Sequence, residues 1–307
     1  MASSVSPLGR LRRHRGLTTA AVGLSLALLA LALQLTIFRP HPASATVGPL
    51  RTLVTVNGNL SAGISFWTDG TVVFGDGNHI TALEPDGSQW TVAQVPGQVR
   101  DIAAIPGGPL YFSADDGKVR QYFGGQVTTV LDRPVVSSPR GVGVAPDGSL
   151  YVADISTEQV LRRTPHGKVT VIGMLDMPND LAIGALGEVF VTDSLGKVYK
   201  VAGQQLERVF DVNDARPRAD RQLPGYIYIC STPNDDLIVG DEMDNAIWRI
   251  HLGRSHRVLG NFTSIKSPDG TPGRLAAISS PWAVAVTNDY RLIMSEAGRL
   301  RVVQLAR

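Results

Sequence analysis

Six times along the chain, a run of five mostly apolar residues ends in or beside an acidic residue. The copies are VVFGD (72–76), LYFSA with Asp115 following (110–114), LYVAD (150–154), VFVTD (189–193), LIVGD (237–241) and LIMSE (292–296). Their first residues lie 38, 40, 39, 48 and 55 positions apart. A unit of about 40 residues built from short strands cannot bury an apolar face alone and must stack against copies of itself, and this period is that of a β-propeller blade. Because the copies run from residue 72 to residue 296, the repeat governs most of the chain and leaves little room for a second folded domain.

Inside a unit the local chemistry recurs. PRGVGVAPDGSLYVADISTEQVLRR (139–163) and PNDLAIGALGEVFVTDSLGKVYKV (178–201) each open on Pro, and then alternate small and apolar residues. That composition suits an innermost strand, where blades crowd the axis and only short side chains fit. A turn of DG or LG follows, glycine accepting positive φ without a Cβ clash. The acid-terminated run is the second strand, a third follows STEQ or SLGK, and KVTVIG or LERVFD is the fourth. The sixth unit ends after three strands, which would leave an unpaired edge. RTLVTVNGN (51–59) has the pattern of an outer strand with no inner strands before it. The expectation is an all-β, six-bladed propeller over residues 50–307, closed by this amino-terminal strand.

Residues 259–303 carry a Gly-rich stretch, DG, a segment of small residues and Leu, a Pro-led inner strand (PWAVAV) and an Arg-bearing third strand. In these features the repeats resemble the NHL family of propellers. The resemblance implies a six-bladed or similar propeller that serves as an extracytoplasmic sensor or binding module. The chain departs from the pattern where Ala114 and Glu296 replace the Asp of the other units. The recurrent Asp itself is expected to accept backbone N–H groups of the following turn rather than to hold a metal.

Residues at the entrance to each innermost strand line one mouth of the channel in such a fold. They are Arg100 with Asp101, Arg140, Asn179 with Asp180, and Trp282, with Tyr228 in the fifth unit. Two guanidinium groups and an indole suit an anionic or sugar-like ligand, through paired hydrogen bonds and stacking. The segment MPNDLAIG is also similar to the P-N-D segment of SMP-30/gluconolactonase propellers, where the Asn helps hold a central divalent cation. That similarity implies, as the alternative, a Ca2+-type lactonase or hydrolase using Asn179. No matching glutamate is found in the first unit, and the two arginines oppose a cation. The leading expectation is therefore no catalytic residue, no metal and no cofactor.

The amino-terminal segment has a different character. The 22 residues 17–38 carry no charge and, at about 1.5 Å per residue, would span roughly 33 Å as a helix, enough for a bilayer core. RLRRHR precedes it, so residues 1–16 are expected in the cytoplasm and the remainder outside, a single-pass signal anchor followed by a Pro-rich stalk at 39–49. ASA at 43–45 offers the competing reading, a cleaved signal peptide and a secreted body. Arg10, Arg12, Arg13, Arg15, Arg39 and Arg51 all precede the first acid, Asp69, and removing these six charges turns the formal +2 into −4. A mildly acidic body argues against nucleic acid as partner. The lone Cys230 makes no intrachain disulfide, and the six histidines show no metal-ligand spacing. The chain is thus expected to be a membrane-anchored, extracytoplasmic module that binds a protein or a small polar ligand. The loops at 254–280 and 211–223 depart furthest from the repeat, and are candidate partner surfaces.

Overall fold

The computed structural model describes residues 48–56, 60–68, 70–215, 225–263 and 265–307. The expected basic segment, membrane helix and most of the stalk lie outside the described residues. Among those that are described, no helix is long and apolar enough to cross a membrane.

Six four-stranded antiparallel sheets form the body. Blade 1 is β2 (Leu60–Phe66), β3 (Val72–Asp76), β4 (His79–Leu83) and β5 (Gln89–Gln94). Blade 2 is β6 (Val99–Ala104), β7 (Leu110–Ala114), β8 (Lys118–Phe123) and β9 (Gln126–Leu131). Blade 3 is β10 (Pro139–Val144), β11 (Leu150–Asp154), β12 (Gln159–Arg163) and β13 (Val169–Met174). Blade 4 is β14 (Pro178–Ile183), β15 (Val189–Asp193), β16 (Lys197–Ala202) and β17 (Gln205–Asp211). Blade 5 is β18 (Ile227–Ser231), β19 (Leu237–Asp241), β20 (Ala246–His251) and β21 (Arg254–Gly260). Blade 6 is β22 (Pro281–Val286), β23 (Arg291–Glu296) and β24 (Arg299–Gln304), with β1 (Arg51–Thr55) as its outer strand. Each innermost strand neighbours the next, and β22 returns to β2, so the ring is closed.

The acid-terminated runs are the second strands, as the repeat indicates, and their apolar side chains fill the spaces between blades. Val152 and Leu150 of blade 3 pack with Val119 and Leu131 of blade 2, and Val191 and Val189 of blade 4 pack with Tyr151 and Ala153 of blade 3. The terminal Asp acts as the sequence suggests. Asp154, fully buried, accepts the N–H groups of Ser137 and Ser138 on one oxygen and of Ser156 and Thr157 on the other, at 2.6–3.0 Å. Where blade 2 has Ala114, the next residue takes over, Asp115 accepting the Gln98 N–H at 2.7 Å. Glu296 accepts the Ser279 N–H at 2.8 Å.

The seam is the pairing of β1 with β24, Arg51 opposite Val302 and Thr55 opposite Arg299. Leu50, with no exposed surface, is buried in the blade 5–blade 6 core. The loop before β22 clasps the strand from its other side. Asp269 accepts the N–H and hydroxyl of Thr52, both at 2.9 Å, and pairs with the fully buried Arg301 at 3.0 Å. Arg301 also donates to the buried Glu296 at 2.8 Å. Leu50 exchanges backbone bonds with Thr271 and Gly270. The stretch around 267–273, a candidate partner surface by sequence, therefore has an internal task.

Asp154→Ala would orphan four N–H groups at the blade 3 junction. At about 1–3 kcal/mol for a buried unpaired donor, the expected loss is about 3 kcal/mol or more in urea unfolding. Asp147→Ala, at an exposed turn, should cost less than about 1 kcal/mol.

Candidate functional site

In five of the six blades the innermost strand shifts register at its entrance. The irregularities fall between Leu60 and Ile64, Val99 and Asp101, Pro139 and Val142, Pro178 and Leu181, and Pro281 and Val284. An extra residue in one strand bends the chain and re-aims a side chain. The residues in these bulges include Arg100, Arg140, Asn179 and Trp282, and all of them line one cavity of about 430 Å³ at the amino ends of the innermost strands. Asp101 and Asp180 line it too, so the structure brings together all six residues singled out in the sequence. Blade 5 has no bulge, its ladder running unbroken from Ile227 opposite Asp241 to Ser231 opposite Leu237.

Five further residues line it: Leu60, Gln98, Tyr226, Glu242 and Tyr228, the last of which the repeat places at the fifth entrance. Blade 5 lacks both the opening Pro and the bulge, so counting from a Pro does not reach Tyr226, Tyr228 or Glu242. The available signal was YIYIC, with tyrosines two apart on one face of a strand, and an extra acid after Asp241. The Arg140 guanidinium lies over the Tyr226 ring, 5.2 Å from its centroid. Trp282 Nε1 donates to Glu242 Oε1 at 3.2 Å. Burial pushes the Glu242 carboxyl up, partly offset by that indole bond. Arg100 makes a long contact, 3.5 Å, with Asp115.

Asn179, Asp101 and Asp180 tie blades together as well as facing the axis. Asn179, 3% exposed, donates its amide to the Ile227 carbonyl of blade 5 at 2.9 Å. Asp101 accepts the N–H of Ile102 and, across the blade boundary, of Val142, each at 2.7 Å. Asp180 accepts Leu181 and, in blade 5, Ile229, each at 2.8 Å. The equivalent positions in blades 1 and 3 are Gly63 and Gly141. A Cβ on Gly141 would lie 2.7 Å from Asp180 Cα, and one on Gly63 would lie 2.9 Å from Asp101 Cα, so no side chain fits.

A second cavity, of about 1080 Å³, enters from the carboxyl ends of the same strands, and Asp101 and Asp180 line it as well. The pair thus stands at the waist between the two openings. Both carboxyls face the channel yet lie deep in protein. Burial, and for Asp101 also the charge of Asp180, pushes them up despite their N–H bonds, Asp180 to about 7. Burial likewise raises the Tyr228 hydroxyl and the Cys230 thiol beside them.

A calcium-type cation takes six to eight oxygens, and the mouth offers side-chain oxygens from Asn179, Asp101, Asp180 and Glu242. Asn179 donates its amide N–H to the Ile227 carbonyl, which leaves Oδ1, the atom a cation would use, outside that bond, while the first and fifth blades offer Gly63 and Tyr228 in place of carboxylates and two arginines flank the mouth. Among the described residues no three of His, Cys, Asp or Glu cluster to hold a metal ion.

No family model and no curated protein matches the sequence. Solved structures do match in shape. A gluconolactonase from Xanthomonas campestris superposes with TM-score 0.64 at 18% identity, covering 86% of this chain and 93% of the other. An auxiliary nutrient binding protein from Bacteroides thetaiotaomicron gives 0.65 at 13%, covering 82% and 70%. Virginiamycin B lyase from Staphylococcus aureus gives 0.59 at 15%, covering 83% and 99%. The likeness is one of fold. At these identities a shared propeller carries neither substrate nor chemistry with it.

The raised Asp180 carboxyl has a consequence for stability. Its ordinary value is 3.8, so between about pH 4 and pH 7 the folded protein holds a proton that the unfolded chain does not. That contribution is fully present below pH 4 and is lost as pH rises through 7. The melting temperature should be higher at pH 5.5 than at pH 8, and Asp180→Asn should flatten this slope in parallel thermal melts.

Proposed function

We propose that the chain is an extracytoplasmic binding module of NHL type, tethered by residues 17–38, whose narrow mouth takes a small anionic or sugar-like ligand. The observation that carries this reading is the convergence of Arg100 and Arg140 with an aromatic wall, Tyr226, Tyr228 and Trp282, in one cavity of about 430 Å³. Guanidinium groups meet carboxylate or phosphate oxygens in pairs, and flat aromatic faces stack on a ring. Stacking on Tyr226 fixes the Arg140 head before a ligand arrives, so less side-chain entropy is lost on binding. Glu242, held by Trp282, supplies an acceptor for a ligand hydroxyl. A structural neighbour described as a nutrient binding protein is in keeping with a binding role, as the gluconolactonase neighbour is with the alternative of a divalent-metal-dependent lactonase using Asn179. In this reading the amino terminus is cytoplasmic, and cleavage near Ala45 would release the body.

Isothermal titration of residues 46–307 with D-glucuronate and with neutral D-glucose tests the site. Glucuronate is expected to bind at least tenfold tighter, and Arg140→Ala to cost tenfold or more, since a hydrogen bond to a charged group contributes about 1.5–3 kcal/mol. Equal affinity for the two sugars would overturn the anionic site. Chelator-sensitive lactone hydrolysis by the same protein would replace it with the enzymatic reading.

A further inference from the structure

The opposite opening has the contrary polarity. Among the described residues, the charged ones lining the 1080 Å³ cavity are Glu84, Asp86 and Asp289 at its rim, Asp101 and Asp180 at its floor, and one cation, Arg291. That cation is bound to Asp289 at 3.0 Å. Between rim and floor the walls are apolar, with Ile64, Phe66, Trp67, Ile183 and Val286 among them. Trp67 is held rigidly, its Nε1 donating to the Gly108 carbonyl at 2.8 Å and its ring meeting Tyr122 edge-on at 6.0 Å. This indole therefore presents a fixed aromatic surface at the entrance.

We propose that this wide opening is a second binding site, for an organic amine whose apolar body lies along the channel wall and whose ammonium group seats against Asp101 and Asp180. Three independent features carry the inference. The size and apolar walls of the cavity suit a drug-sized ligand rather than an ion. The aromatic entrance favours a cation over an anion of the same shape, because a ring face carries the negative side of its quadrupole. The floor retains acceptor capacity. A carboxylate offers about four lone-pair positions, and backbone N–H groups occupy two on each Asp. The remaining positions are available to the N–H groups of an ammonium, whose charge would also offset the cost of burying two carboxylates side by side. A bare metal ion is disfavoured at the same place because no third acidic or imidazole ligand accompanies the pair among the described residues. The site shares Asp101 and Asp180 with the arginine-lined mouth, and its other lining residues are its own.

The test uses one molecular shape in three charge states: 3-phenylpropylamine, 3-phenylpropanol and 3-phenylpropionate, titrated calorimetrically into the protein at pH 8 and low salt. The amine is expected to bind at least tenfold tighter than the alcohol, and the carboxylate to bind weakest. Asp101→Asn with Asp180→Asn should bring the amine down to the affinity of the alcohol, Trp67→Ala should weaken both, and Arg140→Ala should change neither. Equal binding of amine and alcohol, no saturable amine binding up to 10 mM, or amine binding unaltered in the double Asn variant would each overturn the proposal. Should the double variant not fold, the charge series on the unaltered protein decides alone.

Discussion

Everything at the axis depends on the backbone pairing that closes the ring. A cavity bounded by six innermost strands exists only if the sixth sheet is held against the first, and blade 6 supplies just three strands of its own. β1 supplies the fourth by backbone bonds, which any sequence of suitable length could make. What makes the pairing particular to this chain is the set of side chains around it: Leu50 in the core, and Thr52, Asp269, Arg301 and Glu296 linked in one chain of bonds. Arg301 and Glu296 have no exposed surface, so losing either partner would leave a buried charge, a far larger penalty than the pair's own net contribution.

The same economy governs the channel. A propeller axis is crowded, and the polar groups admitted there join neighbouring blades. Asp101 reaches from blade 2 to blade 3, Asp180 from blade 4 to blade 5, and Asn179 holds the first residue of β18. Gly63 and Gly141 leave room for the backbones of Asp101 and Asp180, and the charge of Asp180 helps raise Asp101. The outcome is a channel with arginines and aromatic rings at one end, acids and apolar walls at the other, and a carboxyl pair between.

The sequence showed the fold well because its strongest signal, the acid-terminated second strand, reports a real structural need, the capture of N–H groups at each blade junction. Even the exceptions were informative: Ala114 passes the task to Asp115, and Glu296 performs it with a longer side chain. The closing strand was legible because β1 has the alternation of an outer strand. The mouth was legible wherever a Pro or its equivalent sets the position of the bulge, as for Arg100, Arg140, Asn179 and Trp282. It was illegible in blade 5, where Tyr226 and Glu242 lie outside the repeat's count. The clasp at Asp269 was equally hidden, since its partner Thr52 is 217 residues away and no local pattern marks the pair.

The seam joins residues made at opposite times. Arg51 meets Val302, so a chain emerging from the ribosome amino end first holds β1 without its neighbour until β24, the last strand of the ring, has appeared. Blades 1 to 5 are local in sequence and can assemble in order, but the disc cannot lock until β24 has been made. Such long-range closure is slow, and it leaves an open sheet edge in the interval. The slowest step of folding and the moment of greatest exposure to aggregation therefore fall on the same five-residue strand.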